Sequence, residues 1–112
     1  MDDIELNFSN ENADLAYKKA LLCISNTLDG KITEKEPLTF IKAKVGSSIK
    51  ARALGVRKGT VKHYPVELFV DFTTNKITIK DGMGMAWKIG IGSLINEHMK
   101  TTAEVLKNFI EK

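Results

Sequence analysis

The chain has 112 residues, of which 43 % are hydrophobic and 28 % charged, and its formal net charge is +3. These values fit one globular domain over residues 1–112, large enough to bury a core without covalent staples. A single cysteine excludes an internal disulfide framework and a cysteine-rich metal site, and no apolar run reaches the roughly 18–20 residues of a membrane span.

The N-terminal third predicts a lead-in followed by a helix. Residues 1–8 are expected to be extended or flexible. A helix is predicted over residues 13–27, because apolar residues recur there at i, i+3 and i+4 spacing. Asp29 and Gly30 are expected to end it, with Gly30 in the left-handed conformation that follows many helices.

Three strands are predicted between the first helix and residue 54. Residues 31–36 fit a short edge strand, and residues 38–45 and 49–54 fit two strands joined by a glycine-serine turn. If Val45 pairs with Ile49, Ala43 pairs with Ala51 and Ile41 with Ala53, so these six apolar residues lie on one face. The opposite face then carries Lys42, Lys44, Lys50 and Arg52. Like charges directly opposite one another are normally unfavourable, so this face asks for an explanation.

The clearest strand-turn-strand pattern lies at residues 64–79. Apolar and polar residues alternate over residues 66–72, residues 73–76 supply a turn, and the alternation resumes at Ile77. The glycine-rich residues 82–84 are expected to bulge or end the last strand. A strongly amphipathic helix is predicted from about Ser93 to Ile110.

The predicted fold class is therefore α+β. It is a two-layer sandwich with an N-terminal helix, a four- to five-stranded antiparallel sheet and a C-terminal helix packed on the same face. The order of the opening helix, the strands over 38–45, 49–54 and 66–72, the hairpin that leads to Lys80-Asp81-Gly82 and the closing helix resembles a small bacterial domain family of unknown function. That family is assigned a TATA-binding-protein-like fold. The resemblance implies the fold but no catalytic residues, and members of the family are commonly exported.

A second resemblance concerns bacterial pleckstrin-homology-like domains. These domains also end in a helix packed on a sheet. Their strands usually precede any long helix, whereas a helix opens this chain.

Charge is distributed unevenly along the chain. Residues 1–36 hold eight acids and four bases, residues 67–112 hold six of each, and residues 37–66 hold no acid. The seven bases of this middle segment are Lys42, Lys44, Lys50, Arg52, Arg57, Lys58 and Lys62. A basic sheet face of this kind binds polyanions by releasing counterions. An acidic protein partner fits the charge equally well, and a plain solvated face is the more ordinary interpretation. Phe40 and Tyr64 are the aromatic residues nearby that a single-strand binder needs.

A second unusual stretch contains Met83, Met85 and Trp87 among glycines. Methionine and tryptophan form adaptable apolar surface, so these residues are candidates for contact with an apolar ligand or a partner. The same stretch also fits a bulged strand that leads into the last helix. The glycine spacing does not match a dinucleotide-binding fingerprint.

No arrangement of residues indicates catalysis, a metal or a cofactor. His63 and His98 are isolated in the sequence, and no carboxylate or cysteine pattern accompanies them. Cys23 lies on the apolar side of the first predicted helix, where a buried, inert thiol is expected. We therefore expect a protein that is not an enzyme and has no cofactor.

Three functions remain as expectations. The first is a small non-enzymatic interaction module that uses the basic sheet face over residues 37–66, and the second is a nucleic-acid-binding protein that uses the same face. The third is a carrier of a small apolar ligand held between helices and sheet. The compartment is expected to be cytoplasmic if the chain is complete and extracytoplasmic if a signal peptide was removed. The sequence does not predict the oligomeric state.

Overall fold

The computed structural model describes residues 3–55, 60–82 and 92–112, and of residues 48, 51 and 52 the backbone alone. This part of the chain contains five strands and three α-helices in the order β1 (Ile4–Asn7), α1 (Ala13–Leu22), β2 (Lys31–Glu36), β3 (Phe40–Val45), α2 (Ser48–Leu54), β4 (Val66–Asp71), β5 (Lys76–Asp81) and α3 (Gly92–Glu111). One π-helical turn, Cys23–Thr27, extends α1, and a 3₁₀ turn, Val61–His63, precedes β4. The predicted α+β class is confirmed.

All neighbouring strands are antiparallel, in the spatial order β1-β5-β4-β3-β2. The hairpin predicted over residues 64–79 is confirmed as β4 and β5, and β4 is the central strand of the sheet. Part of the expected lead-in is an edge strand, because Ile4 pairs with Ile79 and Leu6 with Ile77. Its alternation of apolar and polar residues spans only four positions.

The core lies between one face of the sheet and the two long helices. Alternate residues of β3, β4 and β5 point inward, and Leu68, for example, faces both Ala43 and Ile79 in the register. Helix α3 contributes Ile95, Met99, Ala103 and Leu106 to this core, each fully buried. The predicted amphipathic closing helix is thereby confirmed.

Helix α1 packs on the same side through small residues. Ala16 and Ala20 are buried, and Tyr17 meets the ring of Phe72 edge-on, with centroids 5.3 Å apart. The helix begins at a capped end, since the Asn12 side chain accepts a hydrogen bond from the Leu15 amide.

The end of the first helical segment differs in detail from the expectation. Asp29, and not Gly30, adopts the left-handed conformation, with φ of 52°. Gly30 is needed for another reason. A Cβ at this position would lie 2.9 Å from a methyl group of Val45 and 3.1 Å from the Lys44 carbonyl oxygen. The glycine therefore lets the chain pass close to β3.

The prediction of a strand over residues 49–54 was wrong, because this segment is helix α2. Val45 pairs with Val66 of β4, so the predicted pairing of Val45 with Ile49 does not exist. Gly46 turns the chain with φ of 93°, and the Ser47 hydroxyl accepts a hydrogen bond from the Lys50 amide at 3.3 Å. A capped start followed by alanine, lysine, arginine and leucine favours helix over strand.

In the described ranges, none of the helices combines the length and the apolar character that a membrane crossing requires. The predicted continuation of the last strand through Met85 and Trp87 lies outside the described residues.

Candidate binding face on the outer side of the sheet

The outer face of the sheet is the side that points away from α1 and α3. We define it by the alternate strand residues that do not enter the core, such as Lys42 and Lys44 of β3 and Glu67 and Phe69 of β4. No described element packs over this face. Among residues 3–55, 60–82 and 92–112, the helices therefore cover only one side of the five-stranded sheet.

Two aromatic rings and one ammonium group lie together on the outer face, where β3 and β4 are neighbours. Phe40 and Phe69 are both half-buried, and their rings stack with centroids 5.9 Å apart and planes inclined by 24°. The Lys42 Nζ atom lies 5.7 Å from the centroid of Phe40 and 5.8 Å from that of Phe69. These distances are within the range of a cation–π interaction. We call these three residues the aromatic centre.

The register of the strands explains why these residues meet. Lys42 is directly opposite Phe69 on β4, and Phe40 is opposite Asp71. The two rings are therefore diagonal neighbours on adjacent strands, a spacing that aromatic side chains bridge.

Around the aromatic centre the outer face is electrically balanced. Its strand residues include the lysines Lys31, Lys42, Lys44, Lys76 and Lys80 and the acids Glu5, Glu34, Glu36, Glu67 and Asp71. Lys42 pairs with Glu34 at 3.5 Å and Lys76 with Glu5 at 3.6 Å, both across neighbouring strands. Lys44 faces Glu67 on β4 and Lys31 on β2, so one pair of opposed lysines remains.

This balance corrects the prediction of a continuous basic sheet face. The acids come from strands that the sequence did not place beside β3. Lys50 and Arg52 lie in α2 and not on the sheet. Lys62 lies in the 3₁₀ turn before β4.

Several predicted residues lie outside the described part of the chain. These are Arg57 and Lys58 of the basic segment and Met83, Met85 and Trp87 of the apolar stretch. Their proposed roles stay predictions.

Beside the aromatic centre the outer face forms a shallow groove of about 610 Å³. Phe69 and Thr78 lie along it, with Lys42, Lys44 and Lys80 on its lining. Glu5 and Glu67 contribute the opposite charge. A groove with an aromatic wall and charges of both signs can accept a polar segment that carries an apolar side chain.

One of the two aromatic residues noted in the sequence belongs to this face and the other does not. Phe40 shares the face with Lys42, as expected. Tyr64 is fully buried, and its hydroxyl donates a hydrogen bond to Asp81 Oδ1 at 2.6 Å. Phe69 was not among the candidate residues predicted from the sequence. It could have been found, because it is an aromatic residue at a position of the alternating strand where polar residues are expected.

Residues with potential for covalent or metal chemistry are not gathered on the outer face. Cys23 is fully buried, and burial raises the pKa of its thiol while a hydrogen bond with Thr27 acts in the opposite direction. No group of three or more histidine, cysteine, aspartate and glutamate side chains within residues 3–55, 60–82 and 92–112 is placed to hold a metal ion.

Comparison of the chain with protein-family models, with curated proteins and with solved structures gives no match.

Proposed function

We propose that this protein is a non-enzymatic binding module that contacts a protein partner through the outer face of its sheet. The observation that carries the proposal is the aromatic centre. Phe40 and Phe69 remain only half-buried, with stacked rings, on a face that no described element covers. A Lys42 side chain that is 51 % exposed lies over both rings.

The layout supports a protein partner in two ways. Protein interfaces typically place aromatic residues at the centre and polar groups at the rim, and a few central residues carry most of the binding energy. The outer face has this arrangement, with charged side chains on all five strands around two rings. Because its charges alternate in sign, it is complementary to another mixed surface and not to a uniformly charged one.

Nucleic-acid binding is the second candidate, and one observation favours it. Aromatic side chains on an exposed sheet, with a cation beside them, are a common platform on which single-stranded bases stack. The acids argue against it, since Glu34, Glu67 and Asp71 surround the same rings and would repel phosphates. Carriage of an apolar ligand stays a prediction, because its residues Met83, Met85 and Trp87 lie outside the described ranges.

The test compares partners captured by the wild-type protein and by a variant of the aromatic centre. Each protein recovered from a lysate is purified, and its affinity is measured by titration against the wild type and Phe69→Ala. We expect Phe69→Ala to weaken the true partner's binding by about thirtyfold, the typical effect of truncating a central interface residue. Lys42→Glu, which keeps both rings and reverses the charge, should weaken it as well.

Leu15→Ala is the matched control, because Leu15 is 49 % exposed on α1, on the opposite side of the molecule. It should bind the partner as the wild type does. The proposal would be contradicted if every captured protein bound Phe69→Ala and the wild type equally. It would be replaced by the second candidate if the wild type instead bound single-stranded RNA or DNA with steep salt dependence.

A further inference from the structure

A second concave site lies at the end of the sheet where β3 runs into α2. It has a volume of about 510 Å³ and shares no lining residue with the groove on the outer face. Four separate segments line it: residues 27–29 after α1, residues 45–50 around the start of α2, residues 62–63 in the 3₁₀ turn, and α3. The fold thus brings together residues that are far apart in the sequence.

The lining of this cavity is rich in cationic and hydrogen-bonding side chains. Lys50 and Lys62 contribute two ammonium groups, and His63 adds an imidazole. Ser47 and Thr27 contribute hydroxyl groups. Asp29 is the one acid among the described lining residues. Two of the seven bases noted in the middle segment therefore line this site and do not lie on the sheet.

The backbone that carries these side chains is held by hydrogen bonds. The Ser47 amide donates to the His63 carbonyl oxygen at 2.8 Å and so joins the turn after β3 to the 3₁₀ turn. Gly46 allows the two turns to approach each other closely, because a Cβ at this position would lie 2.5 Å from the Tyr64 carbonyl oxygen. The Lys50 amide donates to the Ser47 hydroxyl oxygen, which leaves the hydroxyl proton for another acceptor.

Helix α3 closes the inner wall of the cavity through His98 and Thr102. The Thr102 hydroxyl donates to the His98 carbonyl oxygen at 2.8 Å and is therefore occupied. Burial lowers the pKa of His98, while a hydrogen bond with the Tyr64 backbone raises it. The wall beneath the lysines is thus polar and, at neutral pH, uncharged.

We propose that this cavity binds the phosphate group of a small phosphorylated molecule. Lys50 and Lys62 would balance its charge, and His63 and the Ser47 hydroxyl would donate hydrogen bonds to its oxygens. Lysine is a common phosphate ligand that acts as a point charge, and charge-assisted hydrogen bonds are the strong ones in such sites. The volume exceeds what a phosphate ion fills and is in the range of small-molecule pockets, so an organic group has room beside the phosphate.

The experiment is an NMR titration of the ¹⁵N-labelled protein with inorganic phosphate and with glucose 6-phosphate, at constant ionic strength. We expect saturable shifts of the amide signals of residues 46–50 and 62–63, with a dissociation constant in the millimolar range or below. Tighter binding of glucose 6-phosphate would identify a phosphomonoester as the ligand class. Tighter binding of inorganic phosphate would overturn the assignment to a phosphorylated molecule and leave the free ion as the ligand.

Two variants and a control locate the effect. Lys62→Gln removes one charge and should weaken binding by roughly tenfold, as expected for the loss of one charge-assisted contact. Lys80→Gln makes the same charge change on β5, outside this cavity, and should change the affinity less than about twofold. His63→Gln removes the imidazole from the cavity and should also weaken binding.

The proposal would be overturned by shifts that do not saturate, or by equal losses in Lys62→Gln and Lys80→Gln, because either result indicates diffuse attraction to a basic protein. Acetate that binds as tightly as phosphate would overturn the choice of phosphate. Folding of each variant is checked from the dispersion of its own amide spectrum, and His63→Gln keeps the test decisive if Lys62→Gln fails to fold.

Discussion

Strand β4 and helix α2 both have apolar residues at every second position, yet their structures differ. In β4 the residues Val66, Leu68 and Val70 are at most 2 % exposed. In α2 the pattern consists of Ile49 and two alanines, and Ile49 is 79 % exposed. The same alternation thus marks the most buried strand of the molecule and a short helix on its surface.

The difference shows what alternation does and does not predict. Large β-branched or leucine side chains at alternate positions gain much from burial, and they favour strands through packing on a sheet. Alanine gains little from burial and is the best helix former, so a pattern built on alanine carries weak strand information. Neighbours matter as well, since β3 already pairs with β2 and β4 and has no edge left for a further strand.

The largest expected effect comes from removing a side chain at each of the two places. Leu68→Ala should lower the free energy of unfolding by about 2–5 kcal/mol, because it deletes a buried side chain in the central strand. Ile49→Ala deletes a side chain of equal size from an exposed site and should change it by less than about 0.5 kcal/mol. Urea denaturation of both variants measures the contrast.

Equal losses of unfolding free energy in these two variants would contradict the contrast between β4 and α2. Such a result would mean that Ile49 is buried in solution and that α2 packs differently from its described position. A loss of stability in Leu68→Ala alone would support the contrast between β4 and α2.

A smaller effect is expected at the turn that separates β3 from α2. Gly46 has φ of 93°, and a Cβ there would meet the Tyr64 carbonyl oxygen at 2.5 Å. Gly46→Ala should therefore destabilise the protein by about 1–3 kcal/mol or more, through backbone strain and the clash. Ser47→Ala, which only removes the cap of α2, should cost about 1 kcal/mol or less. Thermal unfolding ranks the two, and a Gly46→Ala variant as stable as the wild type would show that this turn is not the one described.

Much of the fold could be predicted because its signals are local. The hairpin of β4 and β5 and the amphipathic stripes of α1 and α3 each depend on residues close together in sequence. Strand β1 was harder to predict, because four alternating residues are too few to separate an edge strand from an extended lead-in.

The candidate sites depend on long-range pairing and were predicted only in part. Lys42 and Lys44 were placed on a sheet face, but the acids beside them come from β2 and β4 through registers that no local pattern specifies. The stacking of Phe40 on Phe69 follows from the same registers. His63 and His98, isolated in the sequence, line one cavity because α3 contacts the 3₁₀ turn that contains His63.

The smallest expected effect concerns the pH dependence of stability and depends on His98. Because burial lowers the pKa of His98 in the folded protein, the unfolded chain binds more protons below the ordinary histidine value of about 6.5. Protonation of His98 therefore favours the unfolded chain below this pH. The free energy of unfolding should be highest above it and should decline as the pH falls through it. Urea denaturation between about pH 7.5 and about pH 5 covers this window and stays above the range where carboxylates such as Asp71 titrate.

The control is the other histidine of the same cavity. His98→Gln should flatten the decline between about pH 6.5 and about pH 5, whereas His63→Gln should keep it. The two variants remove one imidazole each, so a difference in slope reports burial and not histidine content. A decline that persists unchanged in His98→Gln would show that another group titrates, and the wall of the cavity formed by α3 would then be more open to water than its burial indicates.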